Sequence, residues 1–192
     1  MAGIERLRDF IQGMTRLAEA APPLERWFTE GRDMLAALVR DDDWLPDAFA
    51  EPGPSYRQYL LHCDPLERFS VVSFVWGPGQ RTPVHNHMTW GLVGMLRGEE
   101  VSTSILPGVP MREGQVDRLR PGEVICVEPG AEDIHVVENA FADRTSISIH
   151  VYGANIGAIR RSVFDPATGA AREFISGYTA AVVPNLWDRS AA

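Results

Sequence analysis

Two imidazoles two residues apart, in Pro83-Val84-His85-Asn86-His87, are the first residues in this chain whose type and spacing could do chemistry. On a β-strand, side chains alternate with period two, so both rings would project from one face. Two neutral nitrogen donors so placed make half of a metal site. His135, which follows the turn signal Pro129-Gly130, can supply a third imidazole from another strand. Taken singly, an H-x-H pair is also a common surface or core feature, so the wider pattern has to decide.

A second group lies in Thr145-Ser146-Ile147-Ser148-Ile149-His150-Val151-Tyr152-Gly153, where polar and apolar residues alternate strictly. Ser148, His150 and Tyr152 then share one face, and Ile147, Ile149 and Val151 the other. A hydroxyl, an imidazole and a phenol at this spacing can hydrogen-bond in series and present a polarised O–H at the tyrosine end. The plain alternative is a surface strand with its polar residues in water, and a further one makes His150 a fourth metal ligand.

These side chains need a frame. Ile4, Leu7, Ile11, Met14 and Leu17 recur at helical spacing, as do Trp27, Leu35, Leu38 and Val39, with Pro22-Pro23 between the two sets. Beyond Pro46 the texture becomes short β-rich runs cut by Gly77-Pro78-Gly79, Pro107-Gly108, Pro121-Gly122 and Pro129-Gly130. Strands are expected at 56–62, 69–76, 90–96, 101–106, 116–119, 124–127, 134–138 and 146–152, which suits a sandwich or small barrel. If that barrel holds a metal inside, the polar face of 146–152 points inward and its apolar face packs against the N-terminal helices. The chain then reads as one domain: a helical part over 1–50, a β-barrel core over 55–163 and a closing hairpin or loop segment over 164–192.

Composition narrows the partners. The 192 residues are 45% apolar and 23% charged, as in an ordinary globular protein, and the net charge of −8 disfavours nucleic acid and anionic lipid. Apolar runs such as Val71 to Trp76 fall far short of the ~20 residues that cross a bilayer, and MAGIERLRDF lacks a signal-peptide core, so the expected location is cytoplasmic. Cys63 and Cys126 are too few for a disulfide framework and are expected to be buried as small apolar residues.

The full spacing is G-x5-H-x-H-x3-G-x6-G over Gly79 to Gly98, followed by G-x6-P-G-x4-H-x3-N over Gly122 to Asn139. It resembles the two sequence motifs of the cupin superfamily. That resemblance implies a mainly β fold, a double-stranded β-helix or small jelly-roll barrel, with the metal inside and the helices on its outer face. Many cupins carry a glutamate three or four residues after H-x-H, where this chain has Gly91 and Leu92. Three neutral ligands leave the charge of a divalent ion uncompensated and coordination positions open, which favours an anionic chelating substrate together with a small molecule such as O2. Imidazole suits iron, zinc, copper or nickel, so the ligands alone do not name the metal.

With the Ser-x-His-x-Tyr strand and the 69–76 strand leading into the H-x-H, the chain from about Tyr56 to Phe164 resembles the cysteine dioxygenase family of thiol dioxygenases. By that resemblance His85, His87 and His135 hold Fe(II), Ser148, His150 and Tyr152 form an outer-sphere relay, and both atoms of O2 add to a thiol sulfur. Met88 to Leu92 contains no cysteine to cross-link to Tyr152. Gln58 takes the place of a carboxylate-binding arginine, and an arginine pair, Arg160-Arg161, follows the tyrosine strand. Both features resemble the bacterial 3-mercaptopropionate dioxygenases, in which Arg161, or less readily Arg160, would anchor the carboxylate; Arg57 faces outward or serves instead, and a solvated arginine pair is the plain alternative. The implied partners are a small carboxylate thiol and O2, with the protein a monomer or small homo-oligomer. The rivals are a true cysteine dioxygenase, a zinc or nickel cupin acting as isomerase or hydrolase, and a non-catalytic ligand-binding cupin.

Overall fold

The computed structural model describes residues 3–130 and 133–179. Helix α1 (Ile4–Glu19) buries Leu7, Phe10, Met14 and Leu17 at three- and four-residue spacing, and Pro22-Pro23 separates it from the next helical segment. That segment runs as α2 (Leu24–Arg26), a wider π-type turn over Trp27–Gly31, and α3 (Arg32–Val39).

Among the described residues eleven strands follow: β1 (Arg57–Cys63), β2 (Ser70–Trp76), β3 (Val84–His85), β4 (Gly91–Arg97), β5 (Glu100–Leu106), β6 (Arg112–Leu119), β7 (Val124–Val127), β8 (His135–Asn139), β9 (Ser146–Tyr152), β10 (Arg161–Phe164) and β11 (Ala171–Phe174). They make two antiparallel sheets, in the orders β1-β2-β9-β4-β7 and β11-β10-β3-β8-β5-β6. From β2 to β10 the chain passes repeatedly from one sheet to the other, as the expected double-stranded β-helix requires. All eight expected strands are present. The sequence pattern missed the two-residue β3 and the first half of β6, an edge strand whose polar, exposed residues give no alternation. Strand β10 lies almost wholly before the expected closing segment over 164–192 and was not read as a strand; that segment contributes β11, which pairs with β10, and its residues 180–192, with Pro184, lie outside the described residues.

The main core lies between the helices and the outer face of the first sheet. Leu7, Phe10, Met14, Leu17, Leu35, Leu38 and Val39 meet Val71, Val75, Leu92, Ile147, Ile149 and Val151. Each such aliphatic side chain, fully buried, contributes roughly 1.5–3 kcal/mol. A Cβ at Gly94 would stand 3.0 Å from Leu35 and 3.1 Å from Val39, so the bare glycine is what lets α3 lie this close to β4. The helices therefore claim the apolar face of β9, and its polar face is left to the lumen. Cys63 is buried as expected, but Cys126 is exposed, because it sits on the edge strand β7. No helix among the described residues is long and apolar enough to cross a membrane.

Candidate metal centre and the chain of hydrogen bonds beside it

His85 and His135 are direct partners across the β3–β8 pair, so the ladder itself sets two of the three imidazoles side by side. The expectation that both rings of the H-x-H sit on one strand is met only in part. Strand β3 ends at His85, and His87 follows in the turn beyond it. What brings His87 round is Asp133, whose Oδ2 accepts the backbone N–H groups of His87 (2.6 Å) and Met88 (2.9 Å) while Oδ1 bonds His87 Nδ1 at 2.7 Å. Met88, in the left-handed region at φ 61°, is held there by this clamp.

All three rings are buried, their centroids are 4.7 to 5.0 Å apart, and their ligand nitrogens lie within 4.8 Å of one another. Each Nδ1 is occupied: in His85 by the Pro83 carbonyl at 3.0 Å, in His87 by Asp133, in His135 by Ser102 Oγ at 3.2 Å. That pattern directs Nε2 of each ring to the common centre, as outer partners do around bound metals. His135 Nε2 is buried with no hydrogen-bond partner, a cost that a metal ion would remove. Burial, with the neighbouring imidazoles adding to it, holds His85 well below the usual histidine range, and burial brings His135 to about 4. His87 is likewise depressed by burial, so its contact with Asp133 is a neutral Nδ1–H donating to a carboxylate and not an ion pair. Three neutral imidazoles with free Nε2 atoms fit a divalent ion.

On the facing sheet, Ser148, His150 and Tyr152 all point into the lumen. Ser148 Oγ and His150 Nε2 are 2.8 Å apart, as are His150 Nδ1 and the Tyr152 hydroxyl. Trp76 Nε1–H donates to Ser148 Oγ at 3.1 Å, and Phe74 covers His150 at 4.2 Å between ring centres. The tyrosine ring lies 5.3 Å from that of His87, so the chain ends at the three-histidine face. Burial depresses His150 and raises the Tyr152 phenol, so both are neutral and linked by shared protons.

Arg161 also belongs to this assembly. Val163 pairs with His85, so Arg161, two residues earlier on β10, shares the lumen face of the triad. It is buried; Nη2 donates to Ser176 Oγ at 2.7 Å, the guanidinium lies 4.8 Å from the Phe174 ring centre, and Nε has no partner. Burial lowers its pKa, and its charge in turn bears on His85 and His87. Arg160 is exposed and pairs with Glu173 at 3.2 Å. Arg57 shares the outer face of its sheet with Val75 and Ile147. Gln58 lies opposite Phe74 on the lumen side, but its amide donates to the Gly177 carbonyl at 2.8 Å, holding the segment after β11. His62, half-buried beside Phe69, stands apart from the site.

Asp133 and Trp76 went unnoticed in the sequence. Asp133 offers no spacing signal, being 46 residues from His87. Trp76 reads simply as the end of an apolar strand.

No protein-family model matches the chain. Among solved structures it is similar to a conserved protein of Klebsiella pneumoniae with a double-stranded β-helix domain, at 20% identity and a TM-score of 0.47, over 58% of this chain and 89% of that one. A cupin 2 conserved barrel domain protein from Salinispora arenicola gives 21% identity and a TM-score of 0.43 over 56% and 83%. A cupin 2 domain-containing protein from Halorhodospira halophila gives 17% and 0.42 over 69% and 79%.

Proposed function

We propose that this chain is a mononuclear non-haem Fe(II) thiol dioxygenase that adds both oxygen atoms of O2 to the sulfur of 3-mercaptopropionate, giving 3-sulfinopropionate. The observation that carries the proposal is the convergence of three neutral imidazoles, the Tyr152 end of a buried hydrogen-bond chain and the buried Arg161 on one lumen. Iron held by His85, His87 and His135 would supply a centre at which thiolate and O2 meet.

The protein's own groups do the rest. Arg161 presents Nε without a partner beside a planar fork, and it can exchange Ser176 for a carboxylate in a charge-assisted, two-point contact. That contact fixes one end of the substrate and offsets its charge in a protein of net charge −8. Tyr152, with its hydroxyl polarised by His150, donates a hydrogen bond to the reacting atoms at the other end. Val72, Val137 and Ile156 line the lumen around the tyrosine and keep it dry, which strengthens each of these contacts. Holding both ends turns a chance encounter into an oriented one.

The test is oxygen uptake by iron-loaded protein with 3-mercaptopropionate, with the sulfinate as product. No thiol-dependent uptake at full iron occupancy overturns the proposal. Tyr152→Phe should keep its iron and lose rate. Faster turnover of cysteine would make it a cysteine dioxygenase, and zinc or nickel in the purified protein would favour the isomerase or hydrolase alternative.

A further inference from the structure

One buried ionisable side chain plays no part in this scheme. Glu100 begins β5, directly opposite Asn139 of β8 and Leu119 of β6, on the lumen face at the end away from the histidines. It is 1% exposed, its carboxyl stands beside Ser148 and Trp76, whose donors oppose the effect of burial on it, and its Oε2 has no partner. On the neighbouring strands Arg118, paired with Glu99 at 2.8 Å, and Glu138, 4.0 Å from Arg81, face the other way, while Asp117 of β6, opposite Ser102, shares the face of Glu100 and accepts from the Gln115 amide at 2.8 Å. From β2 and β9 the groups facing Glu100 are Trp76 and Ser148, and the nearest titratable ones in that line are His150 and Tyr152.

We propose that Glu100 is the proton-holding end of a four-membered line, Glu100–Ser148–His150–Tyr152, and that its protonation sets the direction in which every hydrogen bond of that line runs. With Glu100 neutral, its O–H donates to Ser148, Ser148 donates to His150 Nε2, His150 Nδ1–H donates to Tyr152, and the Tyr152 O–H is free to point at the histidine face. With Glu100 ionised, Ser148 donates to the carboxylate, His150 carries its proton on Nε2 and donates to Ser148, and Tyr152 donates back to His150 Nδ1. Ser148 Oγ has one proton and two lone pairs, so with Trp76 donating to it in both cases it is fully satisfied either way.

Burial brings the carboxyl up to about 7, opposed by the donors of Ser148 and Trp76 beside it, so both directions are accessible near neutrality. On the thiol reading, on which this step rests, the line takes up the substrate's proton. The S–H bond breaks with its electron pair left on sulfur, and the proton joins Tyr152 Oη. The tyrosine's own proton moves to His150 Nδ1, the Nε2 proton to Ser148, and the serine proton to the Glu100 carboxylate. No net charge is added to the barrel.

The experiment is ring-nitrogen NMR on isotopically labelled histidine in metal-free protein without thiol, followed through a pH titration. His150 is expected to carry its proton on Nδ1 on the acid side and on Nε2 on the alkaline side. Glu100→Gln should lock the Nδ1–H form throughout, because its amide donates to Ser148 as the neutral acid does. In Ser148→Ala the Glu100 carboxyl should still titrate, while the His150 tautomer no longer follows it. A His150 tautomer constant across the titration of the native protein, or the same titration in Glu100→Gln, overturns the proposal. A tautomer switch in a protein without thiol-dependent oxygen uptake keeps the four-membered line and discards the dioxygenase reading; uptake without a switch does the reverse.

Discussion

Gly91 and Tyr152 are direct partners across the β4–β9 pair, and a Cβ at position 91 would stand 3.3 Å from Cδ1 of the tyrosine ring. The space that a side chain at position 91 would enter, four residues after His87, is occupied by the phenol ring.

Gly91→Glu should push the Tyr152 ring aside. Overpacking of this kind costs about 1–3 kcal/mol. Thermal unfolding should register that loss. The three histidines are untouched by the substitution, so metal content should persist while turnover falls. A variant with native Tm and native rate would show that the ring does not need the space.

Asp133→Ala removes the partner of His87 Nδ1 and the clamp on two backbone N–H groups. Loss of such an outer partner typically weakens metal binding about 10–100-fold. Competition with a chelator should show that drop, against near-complete loss in His135→Ala and native affinity in His150→Ala. Native affinity in Asp133→Ala would mean that His87 is positioned by other contacts.

Arg161→Ala should raise KM for carboxylate thiols and leave a thiol without a carboxylate unaffected. A hydrogen bond to a charged group is worth about 1.5–3 kcal/mol, so kcat/KM should fall roughly 10- to 100-fold. Arg160→Ala breaks only the exposed pair with Glu173 and should behave as the native protein. Equal effects of the two substitutions on steady-state kinetics would remove Arg161 as the anchor.

Glu100→Gln should stabilise the metal-free protein at pH above about 4.5, with the full gain reached above about 7. The buried carboxyl titrates near 7 in the folded chain and near its ordinary 4.5 when unfolded, so the folded state binds the proton more tightly. Its stabilising share is complete below about 4.5 and is lost as pH rises through about 7, a difference of about 3 kcal/mol. Denaturant midpoints should coincide for the two proteins below about pH 4.5, diverge between about 4.5 and 7, and stay apart above that. A constant separation at every pH would rule out this titration.

Much of the frame is legible in the sequence because strand and helix periods are local. The alternation in 146–152 is enough to assign one face to the helices and the other to the lumen, and the glycine-punctuated histidine spacing picks out the triad. What is not legible depends on register between distant strands. Asp133 finds His87 across 46 residues, Glu100 lies one residue outside the strand that apolar character marks, and the bond from Gln58 to Gly177 spans 119. The turn beyond β3 is hidden for a different reason, since it follows from a side-chain clamp on backbone N–H groups and not from any propensity.

Strand β9 is buried along its whole length and is bonded on both sides, by β2 and by β4. Its amides can exchange with solvent only when the sheet itself comes apart, whereas the edges at β6 and β11 can fray alone. The hydrogen-bond line is thus carried by the segment that opens last, and its geometry persists for as long as the molecule stays folded.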